Sequence, residues 1–443
     1  MELLLGNTEG ALKSRNVFTK QQRIAELARQ MADASFTSLA YYIDLEWMHE
    51  AYRRTRKDGA AGVDGVTAEE YEKDLENNLQ SLLDRFKSGR YFAPPVKRVY
   101  IPKGDGKGGV RPIGIPALED KVLQRAVVMV LSSLYEQDFL HCSFGFRPGR
   151  SVHQALEEMW REIMTMGGCW LLEVDIKSYF DTVEHKHLRE FLRKRVRDGV
   201  ILRTIGKWLK AGVMEDGAIH YPREGTPQGG VISPLISNIY LHEVLDLWFE
   251  QEVRPRLAGG GVLIRFADDF VMLFTHERDA RRVQAALPKR FGKYGLSIHE
   301  DKTRLVDFHR PKVKGGKSAT FDFLGLTHYW GMSRKKNWVV KRKTAKKKLK
   351  LAVRRVHQWC RKNRHDPVKE QWRSLSRKLH GHYGFYGITF NMRSLNRFYE
   401  QVKRSWRKWL NRRSRDKDMP WDRFNRLLER YPLPRPRIVH KYA

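Results

Sequence analysis

The chain has 443 residues, 84 Lys and Arg against 51 Asp and Glu, and a formal net charge of +33, so a polyanion is the expected partner, with a membrane surface as the rival. The absence of any apolar run near the ~18 residues of a membrane span excludes that class. The mixed first 40 residues argue against a signal or transit peptide, and Cys142, Cys169 and Cys360, with no CxxC pair, argue against a disulfide framework or cysteine zinc site and suit a reducing cytoplasm.

Apolar residues recurring at three and four predict a helix over 17–57, and a second follows the AGVDGVT break at about 67–88. PVKRVYIPKGDGKGGVRPIGIP, 95–116, alternates about a glycine turn and predicts a hairpin with Lys103 on one arm and Arg111 on the other. Helices are expected at about 117–138 and 151–165, separated by the segment FGFRPGR at 144–150. WLLEVDI, 170–176, reads as a buried strand ending at a carboxylate, with a helix from about 183. Helices at 199–211 and 231–250 flank the loop GTPQGG, and VLIRFADDFVMLF, 262–274, reads as a hairpin tipped by Asp268 and Asp269. A helix over 277–293, a strand pair near 296–308 and the short strand FDFLGL complete an α/β layer with one face open for chemistry. After a turn from 333, the pattern beyond 340 is helical and basic.

The charge is uneven. Residues 331–443 hold 35 Lys and Arg against 7 Asp and Glu, a net of +28, while residues 1–330 carry only +5. In SRKKNWVVKRKTAKKKLK, 333–350, the cations include Lys341, Arg342, Lys346, Lys347 and Lys350. Trp359, Trp372, Tyr383, Tyr386, Trp406, Trp409 and Trp421 follow among further cations, and about half of these rings are expected to be helix-packing core. Cations for phosphates and ring faces for unpaired bases are what structured RNA and single strands require.

Asp175 at a strand end and Asp268-Asp269 at a hairpin tip form the strongest chemical constellation. An isolated Asp-Asp is most often a solvated turn, but this one is boxed by RFA and FVMLF. Carboxylates that repel one another need a reason to coexist, and a pair of Mg2+ ions, roughly 3.5–4 Å apart, supplies one.

VDIKSYFD, GTPQGGVISPLISNIYL, RFADDFVMLF, LSIHEDKTRLV and FDFLGL stand in the order of the palm motifs of reverse transcriptases, which this chain resembles. AGVDGVT, YIPKGDGKGGVRPIGIP and SFGFRPGRSVHQAL are similar to the bacterial group II intron-encoded lineage. The resemblance implies an α/β palm-fingers polymerase of right-hand shape followed by an all-α basic thumb or maturase domain. It implies a helical extension at 1–60, fingers and palm at 61–330, thumb at 331–415 and a short DNA-binding segment at 416–443.

By position, the resemblance makes Asp175 and Asp268 ligands of two Mg2+ ions, with Asp269 assisting and the Ile176 carbonyl joining. It assigns Lys103 and Arg111 to the incoming triphosphate, Gln228 to the nucleotide sugar, Phe180 to a gate against the ribose 2′-hydroxyl and Lys302 either to protonation of pyrophosphate or to organising its loop. Gly229 and Gly230 would let backbone approach the substrate. Arg147 and Arg150 of FGFRPGR, with Lys341, Arg342, Lys346, Lys347 and Lys350, are the expected nucleic-acid contacts. FLGL at 323–326 would grip the primer.

Two departures stand out: Phe266 replaces the usual tyrosine of the YADD turn, and the paired CxxC of an HNH endonuclease is absent after 410. The partners implied are a structured intron RNA, an RNA template with its DNA primer, target DNA and dNTPs. A domesticated enzyme of defence or DNA repair, or a splicing factor using the fold only as scaffold, stays open.

Overall fold

The computed structural model describes residues 2–102, 109–215, 218–221, 225, 229–312, 319–413 and 418–442, with side chains from 15 onward. Lys103 and Gln228 lie outside the described residues. The helices are α1 (Glu2–Gln30), α2 (Leu45–Arg54), α3 (Ala68–Glu72), α4 (Leu75–Lys87), α5 (Leu118–Tyr135), α6 (Val152–Met166), α7 (Tyr179–Thr182), α8 (His185–Arg195), α9 (Gly199–Lys210), α10 (Ser233–Leu241) and α11 (Glu277–Gly292). Four more, α12 (Lys346–Lys362), α13 (Val368–Tyr386), α14 (Met392–Asn411) and α15 (Trp421–Arg430), fill the C-terminal quarter. The strands are β1 (Val96–Pro102), β2 (Val110–Ile115), β3 (Gly168–Val174), β4 (Val213–Glu215), β5 (Ala218–His220), β6 (Gly261–Phe266), β7 (Asp269–Phe274), β8 (Arg304–His309), β9 (Phe321–Phe323), β10 (Leu326–Met332) and β11 (Trp338–Thr344). They form sheets of order β2-β1-β4-β5, β6-β7-β3-β8 and β11-β10-β9.

The chain divides into two compact units, one of Met1–Pro102, Val110–Val152 and Leu172–Leu305, the other including His153–Leu171 and Val306–Ala443. In the first, α5 supplies the core: Val122, Leu123, Ala126, Val127, Val130, Leu131 and Leu134 are fully buried. Trp47 of α2 is also buried, and its indole donates to the Ala126 carbonyl at 3.0 Å. Among the described residues no helix is long and apolar enough to cross a membrane.

The helix expected over 17–57 is interrupted at 31–44, and α2 starts anew where the Asp44 side chain accepts from the Trp47 amide. That bond satisfies a helix-end donor that a continuous helix would not expose. Instead of a strand pair near 296–308 there is a bridge at Ile298, a single turn at Glu300–Lys302 and one strand, β8. Glu300-Asp301 turns because residues 297 to 299 are already tied to the segment after β3 through Lys177 and Asp175.

In the second unit, Leu375, Leu379, Tyr383, Leu395, Phe398, Val402, Trp406 and Phe424 build the core between α13, α14 and α15. Tyr383 and Trp406 are fully buried; Trp359, Trp372 and Tyr386 pack partly against the cluster, and Trp421 stays exposed. Residues 338–344 form β11 antiparallel to β10, so the stretch just beyond 340, expected as the start of a basic helix, is strand. Trp338, Val339 and Val340 are strand formers, and the two-residue alternation buries Val340, Arg342 and Thr344 while Lys343 faces solvent. The C-terminal tail is tied to α13: the Tyr383 hydroxyl donates to the Pro434 carbonyl at 3.1 Å, and the Val439 amide to Gly387 at 2.6 Å.

Asp120 on α5 is buried, accepts from the Tyr91 hydroxyl, and has its carboxyl pushed up to about 8 by burial, against an opposing indole contact from Trp208. A carboxyl with an ordinary value of 3.8 and a folded value of about 8 takes up a proton on folding between those limits. Its stability contribution is therefore complete at low pH and is lost as pH rises through that window. Asp120→Asn should flatten the fall of the urea midpoint between pH 5 and 8, a slope that approaches about 1.4 kcal/mol per pH unit for one proton.

Candidate active site

The hairpin β6–β7 pairs Phe266 with Asp269, so the tip is Ala267-Asp268 and Asp269 is already the first residue of β7. Ala267 has φ of 58°, the left-handed conformation a tight two-residue turn demands. Asp175 follows β3, the neighbour of β7 in the sheet, and its carbonyl accepts from the His299 amide at 2.8 Å. The two carboxylates sense each other. Burial raises the Asp268 carboxyl above its ordinary value and the charge of Asp175 adds to that, opposed by its own backbone, Arg111 and Arg265. Arg111, exposed on β2, thus stands within electrostatic reach of Asp268.

The turn rests on a buried network. Arg265 is wholly buried and donates to Asp246 Oδ1 and Oδ2 at 2.8 and 2.6 Å, to Asn238 Oδ1 at 3.0 Å, to Ser143 Oγ at 2.7 Å and to the Ala267 carbonyl at 3.1 Å. Asn238 in turn donates to the Gly145 carbonyl at 2.7 Å. Gly145 lies so close to the turn that a Cβ there would stand 2.2 Å from the Ala267 nitrogen. FGFRPGR is therefore a brace for the acidic tip. Phe266, which lacks a phenol, sets its ring 6.2 Å from that of Phe146 in this brace.

The loop after β5 is braced from two sides. Gly225 has φ of 90° and comes against the Phe180 carbonyl, where a Cβ would be 2.8 Å away; Gly229 has φ of 108° and lies against Gly114 of β2, at 2.4 Å by the same measure. Gly229 thus approaches the backbone of β2 closely. Phe180 is half-buried beside Tyr179, whose hydroxyl donates to the Ser237 carbonyl at 3.0 Å. Lys302 reaches past Glu300 and Asp301 to donate to both Asp175 oxygens, at 3.2 and 3.3 Å, as an exposed pair.

Two of the expected phosphate contacts are corrected. Arg147 is buried and spends its guanidinium on Glu136 and on the carbonyls of Leu140 and Ser143. Arg342 is 1% exposed, its ring-facing guanidinium 4.1 Å from the Tyr442 centroid, and burial lowers its pKa to about 10. Neither can face a solvent-borne phosphate without being pulled from the core. Arg150 lies over the Phe144 ring and Lys341 over Phe390, while Lys346, Lys347 and Lys350 are exposed on α12.

Asp175, Asp268, Asp269 and the Ile176 carbonyl offer hard oxygen donors of the kind Mg2+ accepts. Among the described residues no three acidic, histidine or cysteine side chains gather into a complete cage. Mg2+ in general is held by one or two carboxylates and completes its shell with water and substrate phosphates. Arg265, Asp246, Asn238 and Gly145 had not stood out in the sequence. The available signal was an Asp inside the apolar stretch LHEVLDLWF and an Arg inside an apolar strand, charges that cannot stay buried unpaired.

Residues 101–328, more than half of the chain, match the family described as reverse transcriptase (RNA-dependent DNA polymerase). The chain is 40% identical over 251 residues to Protein YkfC of Escherichia coli, covering 54% of this chain and 64% of that one. It is 36% identical over 243 residues to the group II intron-encoded protein LtrA of Lactococcus lactis, covering 53% and 40%. A match of 30% over 129 residues to nuclear intron maturase 1, mitochondrial, of Arabidopsis thaliana covers 28% and 18%. The chain thus spans less than two thirds of each of these relatives. Its α/β sheets, followed by a helical C-terminal region, are those of the polymerase fold with its thumb. The chain belongs to the reverse transcriptase family.

Proposed function

We propose that this chain is an RNA-directed DNA polymerase of the group II intron type that also binds a structured intron RNA to promote splicing and mobility. The observation that carries the reading is that Asp175, just after a palm strand, and Arg111, on the fingers hairpin, both act electrostatically on Asp268. The substrates are a primer on an RNA template, dNTPs and target DNA, and three buried, unpaired cysteines support a reducing cytoplasm.

Asp175, Asp268 and the Ile176 carbonyl, helped by Asp269, would hold two Mg2+ ions. When bound, Mg2+ supplies Lewis acidity that activates the primer 3′-hydroxyl and steadies the charge on the leaving pyrophosphate. Arg111, with Lys103, neutralises the triphosphate, and Gln228 orients the sugar. Phe180 walls off a ribose 2′-hydroxyl. The primer 3′-hydroxyl gives up its proton to water, its oxygen bonds the α-phosphate as the bond to pyrophosphate breaks, and Lys302 delivers a proton to the departing group. No covalent protein intermediate is required.

Primer extension on an RNA template tests the reading: Mg2+-dependent dNTP incorporation is expected, and promoted splicing without any incorporation would overturn the polymerase. Replacing Lys346, Lys347 and Lys350 together by Ala should lower the magnitude of the salt slope of RNA binding by about 2–3, at roughly 0.7–0.9 per phosphate contact. An unchanged slope would remove α12 from the RNA interface.

A further inference from the structure

Apart from the palm acids, the first unit holds a cavity of about 690 Å³ between residues 90–95, α8 and α9. Among the described residues its lining includes Arg90, Arg189, Arg193, Arg203, Lys207 and Lys210 and no carboxylate. This is a strong local departure, because residues 1–330 carry a net charge of only +5. None of Asp175, Phe180, Asp268 or Arg111 lines it.

The cations are available. Arg90, Arg189, Arg193, Arg203 and Lys210 are exposed, and among the described residues none of the five is in an ion pair. Lys207 differs, since it donates to the Gly89 carbonyl at 2.7 Å and fastens the cavity wall. The cavity also has exposed rings: Phe92 is 74% and Tyr221 is 70% solvent-exposed. Each leaves a large apolar face in water next to fixed positive charge.

Cations side by side on α8 and α9 suit a phosphodiester backbone, and free ring faces suit bases that are not already stacked in a duplex. A duplex would use the charges and leave the rings idle. We propose that this cavity is a second nucleic-acid site, taking an unpaired stretch of RNA, with Arg189, Arg193, Arg203 and Lys210 on phosphates and Phe92 and Tyr221 stacking on bases. It rests on the RNA-binding reading above and adds to it a place and a substrate form: a single-stranded loop or tail held outside the polymerase cleft.

The test uses the full chain with a 4-thiouridine-labelled 12-nucleotide oligo(U), bound with the polymerase cleft saturated by a primer–template hybrid. Photocrosslinks are expected at Phe92 or Tyr221. Arg189→Glu with Arg203→Glu should weaken oligo binding by about tenfold or more and reduce the salt slope by about 1.4. Phe92→Ala with Tyr221→Ala should weaken oligo(U) by about 30-fold or more, two stacked bases at 1–3 kcal/mol each, while leaving a duplex of equal length unaffected. Unchanged primer extension by both variants verifies that they fold.

Displacement of the oligo by the hybrid would overturn the proposal by making the cavity part of the template path. So would tighter binding by a poly-glutamate peptide, or variants that bind oligo(U) as the parent does. If the parent binds no RNA anywhere, it is the broader RNA-binding reading that fails.

Discussion

Asp268→Ala lowers Mg2+-dependent primer extension by on the order of 10²–10³-fold or more, the range for losing one group that stabilises transition-state charge, while leaving RNA affinity within about twofold. The expectation follows from placement. Asp268 occupies the turn itself, half-buried and within electrostatic reach of Asp175 and Arg111, so its loss removes a carboxylate from the proposed metal site. Asp269→Ala should cost less, because Asp269 is exposed at the first position of β7. Lys302→Ala should act differently again. Its exposed pair with Asp175 contributes little to stability, about 0–1 kcal/mol. Any loss of rate should therefore appear without a change in melting temperature. Single-turnover extension at saturating dNTP and Mg2+ separates the three; equal losses for Asp268→Ala and Asp269→Ala would contradict the assigned order.

Arg265→Met is expected to destabilise the first unit by about 3–5 kcal/mol, because Asp246 would be left charged and unpaired with no exposure to water. Arg265→Met with Asp246→Leu should recover much of that stability, since a buried ion pair can often be replaced by apolar packing. Polymerisation should not recover with it. Arg265 also donates to the Ala267 carbonyl and so holds the conformation that aims Asp268. Denaturant unfolding paired with single-turnover extension reads the two effects apart. A double variant with both parental stability and parental rate would show Arg265 to be structural only. Gly145→Ala probes the same brace from the other side, where the added methyl meets the Ala267 backbone.

Much of the active site was legible in the sequence because its elements announce themselves locally. An apolar strand that ends in Asp175, and a hairpin whose tip carries Asp268, are patterns of consecutive residues, and motif order supplied the rest. Alternation was equally informative in Val96–Pro102 and Val110–Ile115, where strand and turn chemistry agree. The basic segment was harder to read. Lys and Arg favour a helix as readily as they tolerate a strand, so the stretch beyond 340 reads as helix until β10 is present to pair with it.

What the sequence by itself determined is therefore chemistry and order: an acidic palm, a cationic C-terminal quarter and the succession of strands and helices that carries them. Only the tertiary structure decided which cations face water. Arg147, Arg265 and Arg342 are indistinguishable by composition from Lys346 or Arg189, yet the first three are buried. The physical reason is that burial of a charge depends on partners distant in the chain, such as Asp246 for Arg265 and Tyr442 for Arg342, and no local pattern encodes their arrival.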